Sequence, residues 1–181
     1  MLKAEGIEPA SVSILAVGGG TTIWSAIQSG AVDAAILWPP FFAMAEKDGM
    51  RRLKYLGDVI SYPTSGVSTS DRILRDQPTL VRRFLRATAK GLIYFQENRN
   101  RSENIALIGK LFKIDSEMAV KNYDFLRSIQ TKDGIPSQQS LKTHVQVVKD
   151  AVRKLADEPE EKLMKQAYDF VPLRELSPGR K

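Results

Sequence analysis

Residues 11–40 read SVSILAVGGGTTIWSAIQSGAVDAAILWPP. Two apolar runs, residues 11–17 and 32–38, are rich in aliphatic side chains and are bounded by proline or glycine. Runs of that length and composition are typical of buried strands. Between them, Thr21 to Ser29 carries apolar side chains at helical spacing, and Gly30 ends the segment. The stretch therefore predicts a strand, a helix and a second strand.

The alternation continues with a short helix at 41–47 and a third strand at 53–60. Strands that alternate with helices are typical of a parallel sheet covered by helices. After Tyr62 the apolar side chains recur at helical spacing. We therefore predict an α/β fold with one parallel-sheet lobe and a series of C-terminal helices, at about 78–98, 102–112, 115–129, 137–155 and 160–170.

The change of pattern near Tyr62 divides the chain into three predicted regions. These are an α/β lobe at 1–62, a hinge or crossover at 63–75, and a helical part at 76–181. Three strands at one edge of a sheet, followed by helices without a sheet of their own, cannot bury the apolar faces of both the strands and the helices well. We therefore infer a C-terminal fragment of a larger α/β protein, or a chain that needs a partner to complete it.

The composition excludes several kinds of site. The 181 residues include no cysteine and one histidine, His144. A disulfide, a thiolate zinc site and a cysteine nucleophile are therefore excluded, and a site with several histidines cannot form. No apolar run is long enough to cross a bilayer, and the first seven residues lack the pattern of a secretory signal. We therefore expect no metal site.

Basic side chains are densest between Arg72 and Arg101, where eight of them accompany only two acidic residues. Such a surface can attract nucleic acid or an anionic membrane. However, Arg82, Arg86 and Lys90 recur every four residues, which is typical of the solvated side of an amphipathic helix. Because no nucleic-acid-binding motif accompanies the charge, we expect no nucleic-acid partner.

Five segments in this order resemble a known family. They are LKAEGI at residues 2–7, VGGG at 17–20, AIQSGAVDAA at 26–35, WPP at 38–40 and DQPTLVRRFLRA at 76–87. Together they look like the second lobe of the substrate-binding proteins of ABC importers. The nearest group is NMT1/THI5-like, which includes binders of sulfonates, taurine, nitrate and pyrimidine precursors.

The resemblance implies a fold similar to the type II periplasmic-binding proteins. Such a receptor captures a small solute in a cleft between two lobes by hinge closure and hands it to an ABC permease in the membrane. Because its mechanism is closure rather than chemistry, no catalytic residue and no cofactor is expected. This sequence lacks the first lobe of such a receptor, so we expect the missing N-terminal lobe or a second chain to cover the exposed apolar faces. The expected solute is anionic or heteroaromatic. The full-length protein is then expected in the periplasm, or outside the cell on a lipid anchor.

The first candidate site is the turn that contains Gly19, Gly20, Thr21 and Thr22. Its glycines permit a close approach of the backbone to a ligand. Free N–H groups at the start of the following helix, together with the two hydroxyls, favour a carboxylate or sulfonate. The alternative is a tight turn in which a threonine only caps the helix.

The second candidate is Trp38 with Pro39. The indole offers a flat apolar face and one N–H donor, and the prolines stiffen the loop that presents it. Alternatively, Trp38 completes a buried strand and packs under the helix at 41–47. Phe41 and Phe42 are expected in the core or between lobes, and Trp24 is expected to pack rather than to bind.

The third candidate is the segment from Ser61 to Gly66, in which Tyr62 and Ser65 offer hydroxyls to a solute. The resemblance implies that the chain crosses between lobes here, so that Gly66 can absorb a hinge rotation. The alternative is an ordinary polar connection. His144 is expected to be exposed, whereas Tyr123, Phe125, Tyr168 and Phe170 are expected in the core or on faces that a missing lobe covers.

Two other functions compete with transport. The family also includes a synthase for the thiamine pyrimidine, which needs an iron site and a sacrificial histidine. A single histidine and no cysteine make this enzyme the weaker interpretation. The effector domain of a transcription regulator shares the two-lobed fold, but the long helical tail argues against it.

Overall fold

The computed structural model describes residues 2–176. Nine α-helices lie in this range, joined by loops and by short 3-10 helices. The α-helices are α1 Gly20–Gln28, α2 Phe41–Lys47, α3 Asp71–Asp76, α4 Pro78–Gln96, α5 Arg101–Phe112, α6 Ser116–Ile129, α7 Gln138–Ala151, α8 Glu160–Ala167 and α9 Val171–Glu175. The 3-10 helices are Leu2–Glu5, Pro9–Ser11, Leu56–Asp58, Asn98–Asn100 and Arg153–Leu155.

The predicted parallel sheet is wrong, because residues 2–176 contain no strand. The three segments predicted as strands, 11–17, 32–38 and 53–60, form irregular or 3-10 structure. No ladder of backbone hydrogen bonds joins these segments within the described range. The expected α/β fold of the type II periplasmic-binding proteins is thereby overturned, and the described chain is helical.

The exposure of these segments explains the error. Ile14 is 77% exposed, Ile36 is 57% exposed and Leu53 is 69% exposed. A strand that is apolar on both faces is stable only between neighbouring strands that supply its hydrogen bonds and between layers that cover it. The amino-acid composition of a segment shows that it would suit a buried strand, but it does not show whether neighbouring strands are present to pair with it.

The helices were better predicted, because their start signals are local. The Asp115 side chain caps α6 by accepting a hydrogen bond from the backbone N–H of Met118 at 2.9 Å. Ser137 caps α7 in the same way through the N–H of Ser140 at 3.1 Å. The sequence predicts a helix start at each of these positions, and aspartate and serine are good N-cap residues.

Three boundaries differ from the prediction. Helix α7 ends at Ala151 rather than near 155, and Arg153–Leu155 is a separate 3-10 helix. Helix α3, capped by the Ser70 side chain, occupies part of the predicted hinge at 63–75. The predicted helix at 160–170 ends early, at Ala167, and α9 begins only at Val171.

The chain forms two compact units, and the first comprises residues up to Val59 together with Asn98–Gln130. Its centre is the pair of helices α5 and α6, which pack on each other, with α2 packed on α6 and α1 on α2. Tyr123 and Ala119 are almost fully buried there. The ring of Phe42 lies 4.9 Å from that of Phe125, which places the second predicted core aromatic of α6 against α2.

The second unit comprises Ile60–Glu97 and the residues from Thr131 onward. In it α4 packs on α3 and α9, and α7 packs on α8. Its buried apolar side chains are Leu141, Val145 and Leu163. Within residues 2–176, no helix combines the length and the apolar character that a membrane crossing requires.

Candidate functional site

The glycine turn leads directly into α1. Gly18 has a φ of 101°, a left-handed conformation that favours glycine. Gly19 is the N-cap residue, and no side chain caps this helix. Thr21 and Thr22 are therefore residues of the first turn, both exposed, and neither is the predicted cap. The first-turn N–H groups have no acceptor inside the helix.

Gly20 lies close to two aromatic rings of the same unit. A Cβ atom at this position would be 2.5 Å from Cε2 of Phe41 and 3.3 Å from Cζ2 of Trp38. The absence of a side chain therefore allows both rings to approach the start of α1. The structure brings the first two candidate regions together, with Phe41 as an additional neighbour that the sequence did not assign to the site.

Trp38 is 47% exposed and ends an irregular segment rather than a strand. The backbone N–H of Phe41 donates to the carbonyl oxygen of Trp38 at 2.8 Å, which forms the turn that starts α2. Pro39 is half-buried within this turn. Trp38 therefore presents about half of its surface to solvent beside the glycine turn.

Trp24 behaves differently from Trp38. Its side chain is 7% exposed in α1, so the prediction that it packs rather than binds is confirmed. Phe42 is half-buried, and its ring packs against that of Phe125, in line with the expected packing role. Trp24 and Phe42 thus help to position α1 and α2, the two helices next to the turn and the Trp38 segment.

The first unit thus places three kinds of binding group side by side. Unpaired N–H groups and the positive end of the helix dipole favour an anion, the hydroxyls of Thr21 and Thr22 supply polar contacts, and the indole of Trp38 offers a flat face. Such a combination suits a small anion or a polar heteroaromatic ring.

Tyr62 and Ser65 belong to the second unit. The Tyr62 ring lies edge-on to the ring of His144, with centroids 4.9 Å apart and an angle of 75°. Nδ1 of His144 is hydrogen-bonded to the hydroxyl of Tyr168, and burial raises the pKa of that hydroxyl. Ser65 is exposed.

His144 is half-buried, so the expectation of an exposed side chain is wrong. The spacing of Tyr168 indicated a packed ring, but its pairing with His144 depends on how α7 meets the segment after α8. Among residues 2–176, no group of three His, Cys, Asp or Glu side chains is arranged to hold a metal ion.

A protein-family model described as NMT1/THI5 like matches residues 1–102. The matched range is more than half of the chain and contains all eight predicted site residues. Neither the curated proteins nor the solved structures include a significant match to the chain.

Proposed function

The chain belongs to the NMT1/THI5-like family, and on that premise we propose that it is the substrate-binding component of an ABC importer. The family includes ABC substrate-binding proteins and thiamine-pyrimidine synthases. The family match over residues 1–102 carries the proposal. The neighbouring binding groups of the glycine turn and Trp38 support it, because they suit recognition of a small molecule.

The proposed solute is anionic or heteroaromatic and resembles a sulfonate, a nitrate or a pyrimidine. The backbone N–H groups of Gly20, Thr21 and Thr22, together with the hydroxyls of the two threonines, would bind its polar part. The Trp38 indole would cover its apolar part. The protein would bind without catalysing a reaction and would deliver the solute to a membrane permease, from the periplasm or from a lipid anchor outside the cell.

Equilibrium titration of the full chain with taurine, nitrate and an aminopyrimidine tests this proposal. Tryptophan fluorescence is a suitable readout because Trp38 is half-exposed and Trp24 is buried. We expect a ligand to change the Trp38 emission, and isothermal titration calorimetry to give the same dissociation constant. Binding by none of the three classes would contradict the proposal.

Two variants with matched controls locate the site. Trp38→Ala should weaken binding, whereas Leu53→Ala, which removes an exposed side chain elsewhere in the same unit, should not. Thr21→Ala should also weaken binding. Its control is Thr79→Ala, since Thr79 is the exposed second residue of α4, as Thr21 is of α1.

Unchanged binding in both site variants would place the solute elsewhere. The enzyme interpretation predicts a different result, namely formation of a pyrimidine product with consumption of a histidine when iron is supplied. Mass spectrometry of the chain after such an incubation separates the two functions, because a binding protein retains an unmodified His144.

A further inference from the structure

A second concave surface lies in the other unit, where α7, α8 and α9 meet. It is an open cleft of about 430 Å³, within the range of small-molecule sites. Its lining combines apolar and aromatic side chains with two cations, and includes Leu141, Met164, Tyr168, Phe170, Lys165 and Arg174. None of these residues belongs to the site at the glycine turn.

The aromatic wall of the cleft is held in place. The rings of Tyr168 and Phe170 are nearly parallel, with centroids 6.0 Å apart and an angle of 7°. The Tyr168 hydroxyl is hydrogen-bonded to His144, and Tyr62 supports His144 edge-on. Leu141 is 5% exposed and anchors the opposite helix, α7. A flat ring can therefore lie against a wall that is already ordered.

The charged side chains of the cleft favour an anion. Lys165 and Arg174 carry one positive charge each, and Asp169 carries the one negative charge among the lining residues. The Asp169 carboxylate accepts a hydrogen bond from the backbone N–H of Val171 at 2.9 Å. Within residues 2–176, neither Lys165 nor Arg174 forms an ion pair. The lining residues therefore carry one positive charge more than negative, which the single negative charge of a monoanion would neutralise.

We propose that this cleft is a second binding site, specific for a small aromatic carboxylate. The ring would contact Tyr168, Phe170 and Met164, and the carboxylate would bind Lys165 and Arg174. A guanidinium matches a carboxylate with two parallel hydrogen bonds, which favours this anion. The proposal is independent of the transport function, since it uses other residues in the other unit.

Calorimetric titration of the full chain with 2-naphthoate tests the proposal. The neutral analogue 2-naphthamide and the non-aromatic cyclohexanecarboxylate serve as comparisons. We expect 2-naphthoate to bind at least about tenfold more tightly than either, since each lacks one of the two recognised features. Equal affinity for the amide, or no binding of 2-naphthoate, would overturn the proposal.

Charge-removing variants locate the ligand. Lys165→Gln and Arg174→Gln should each weaken 2-naphthoate binding about three- to tenfold. Lys162→Gln is the matched control, because Lys162 lies on the same helix, pairs with Glu158 and does not line the cleft. Thr21→Ala should leave this binding unchanged.

An equal loss in Lys162→Gln and Lys165→Gln would show attraction to the general positive charge and would overturn a specific site. A loss in Thr21→Ala would place the carboxylate at the glycine turn and would likewise overturn it. Lys165 is exposed, so Lys165→Gln is expected to fold. It therefore tests the proposal even if Arg174→Gln does not fold.

Discussion

Lys47, in the last turn of α2, donates to Asp115, the N-cap residue of α6, with Nζ 2.5 Å from Oδ2. The other oxygen of the same carboxylate accepts from the backbone N–H of Met118. A single carboxylate thus starts α6 and connects it to α2. Both side chains are about half-exposed, so solvent and salt screen the ion pair.

The pair makes the stability of the first unit dependent on pH. The hydrogen bond from Lys47 holds the pKa of Asp115 below its ordinary 3.8, and the same bond raises the pKa of Lys47 above its ordinary 10.5. The stabilisation by Asp115 is therefore present above 3.8 and is lost as pH falls through its lowered pKa. The stabilisation by Lys47 is present below 10.5 and is lost as pH rises through its raised pKa.

Chemical denaturation of Lys47→Met across this range checks the prediction. The free energy of unfolding should be lower than that of the unchanged chain near neutral pH, and the difference should shrink in acid. Lys110→Met is the control, since Lys110 lies in the last turn of α5 and has no ion pair among the described residues. A difference for Lys47→Met that persists at about pH 2 would contradict the assignment.

Gly20 is predicted to tolerate no side chain without rearrangement. In Gly20→Ala the new Cβ would meet the Phe41 ring at 2.5 Å, so we expect a loss of about 1–3 kcal/mol as the ring shifts. Gly19→Ala is the control, because nothing lies within 4 Å of its Cβ position. Thermal unfolding measures the loss of stability in both variants. Equal losses would contradict a clash with Phe41 and would show that α1 needs only flexible glycines at its start.

Ser137 is predicted to stabilise α7 through its cap. Ser137→Ala removes the acceptor for the N–H of Ser140 and should cost about 1 kcal/mol. Ser116→Ala is a suitable comparison, since Ser116 is the first residue of α6 and Asp115 already caps that helix. Urea denaturation followed by circular dichroism at helical wavelengths measures both. An unchanged midpoint for Ser137→Ala would argue against the cap.

Tyr123 is predicted to be the most sensitive core position of the first unit. Its ring is fully buried between helices, and the guanidinium of Arg101 lies 5.5 Å from its centroid. Tyr123→Ala should therefore cost about 3–5 kcal/mol. Leu111→Ala, at a side chain that is 65% exposed, should change the free energy of unfolding by less than about 0.5 kcal/mol. Similar losses would contradict the observed burial.

The helical part was largely predictable from the amino-acid sequence. Pro78 suits the first turn of a helix, Asp115 and Ser137 are good caps, and the apolar spacing after them is helical. These signals act within a few residues, because a helix forms its hydrogen bonds between close neighbours in the chain. The prediction failed for the strands, whose partners would be distant in sequence.

The candidate site was predictable only in its residue types. The sequence by itself determined a glycine-rich helix start, an aromatic residue before two prolines, and a family likeness that the family match confirms. Only the tertiary structure decided that Gly20 lies beside Trp38 and Phe41, and that Tyr62 packs against His144, which is hydrogen-bonded to Tyr168. The physical reason is that packing joins residues far apart in the chain, and side-chain spacing carries no record of those neighbours.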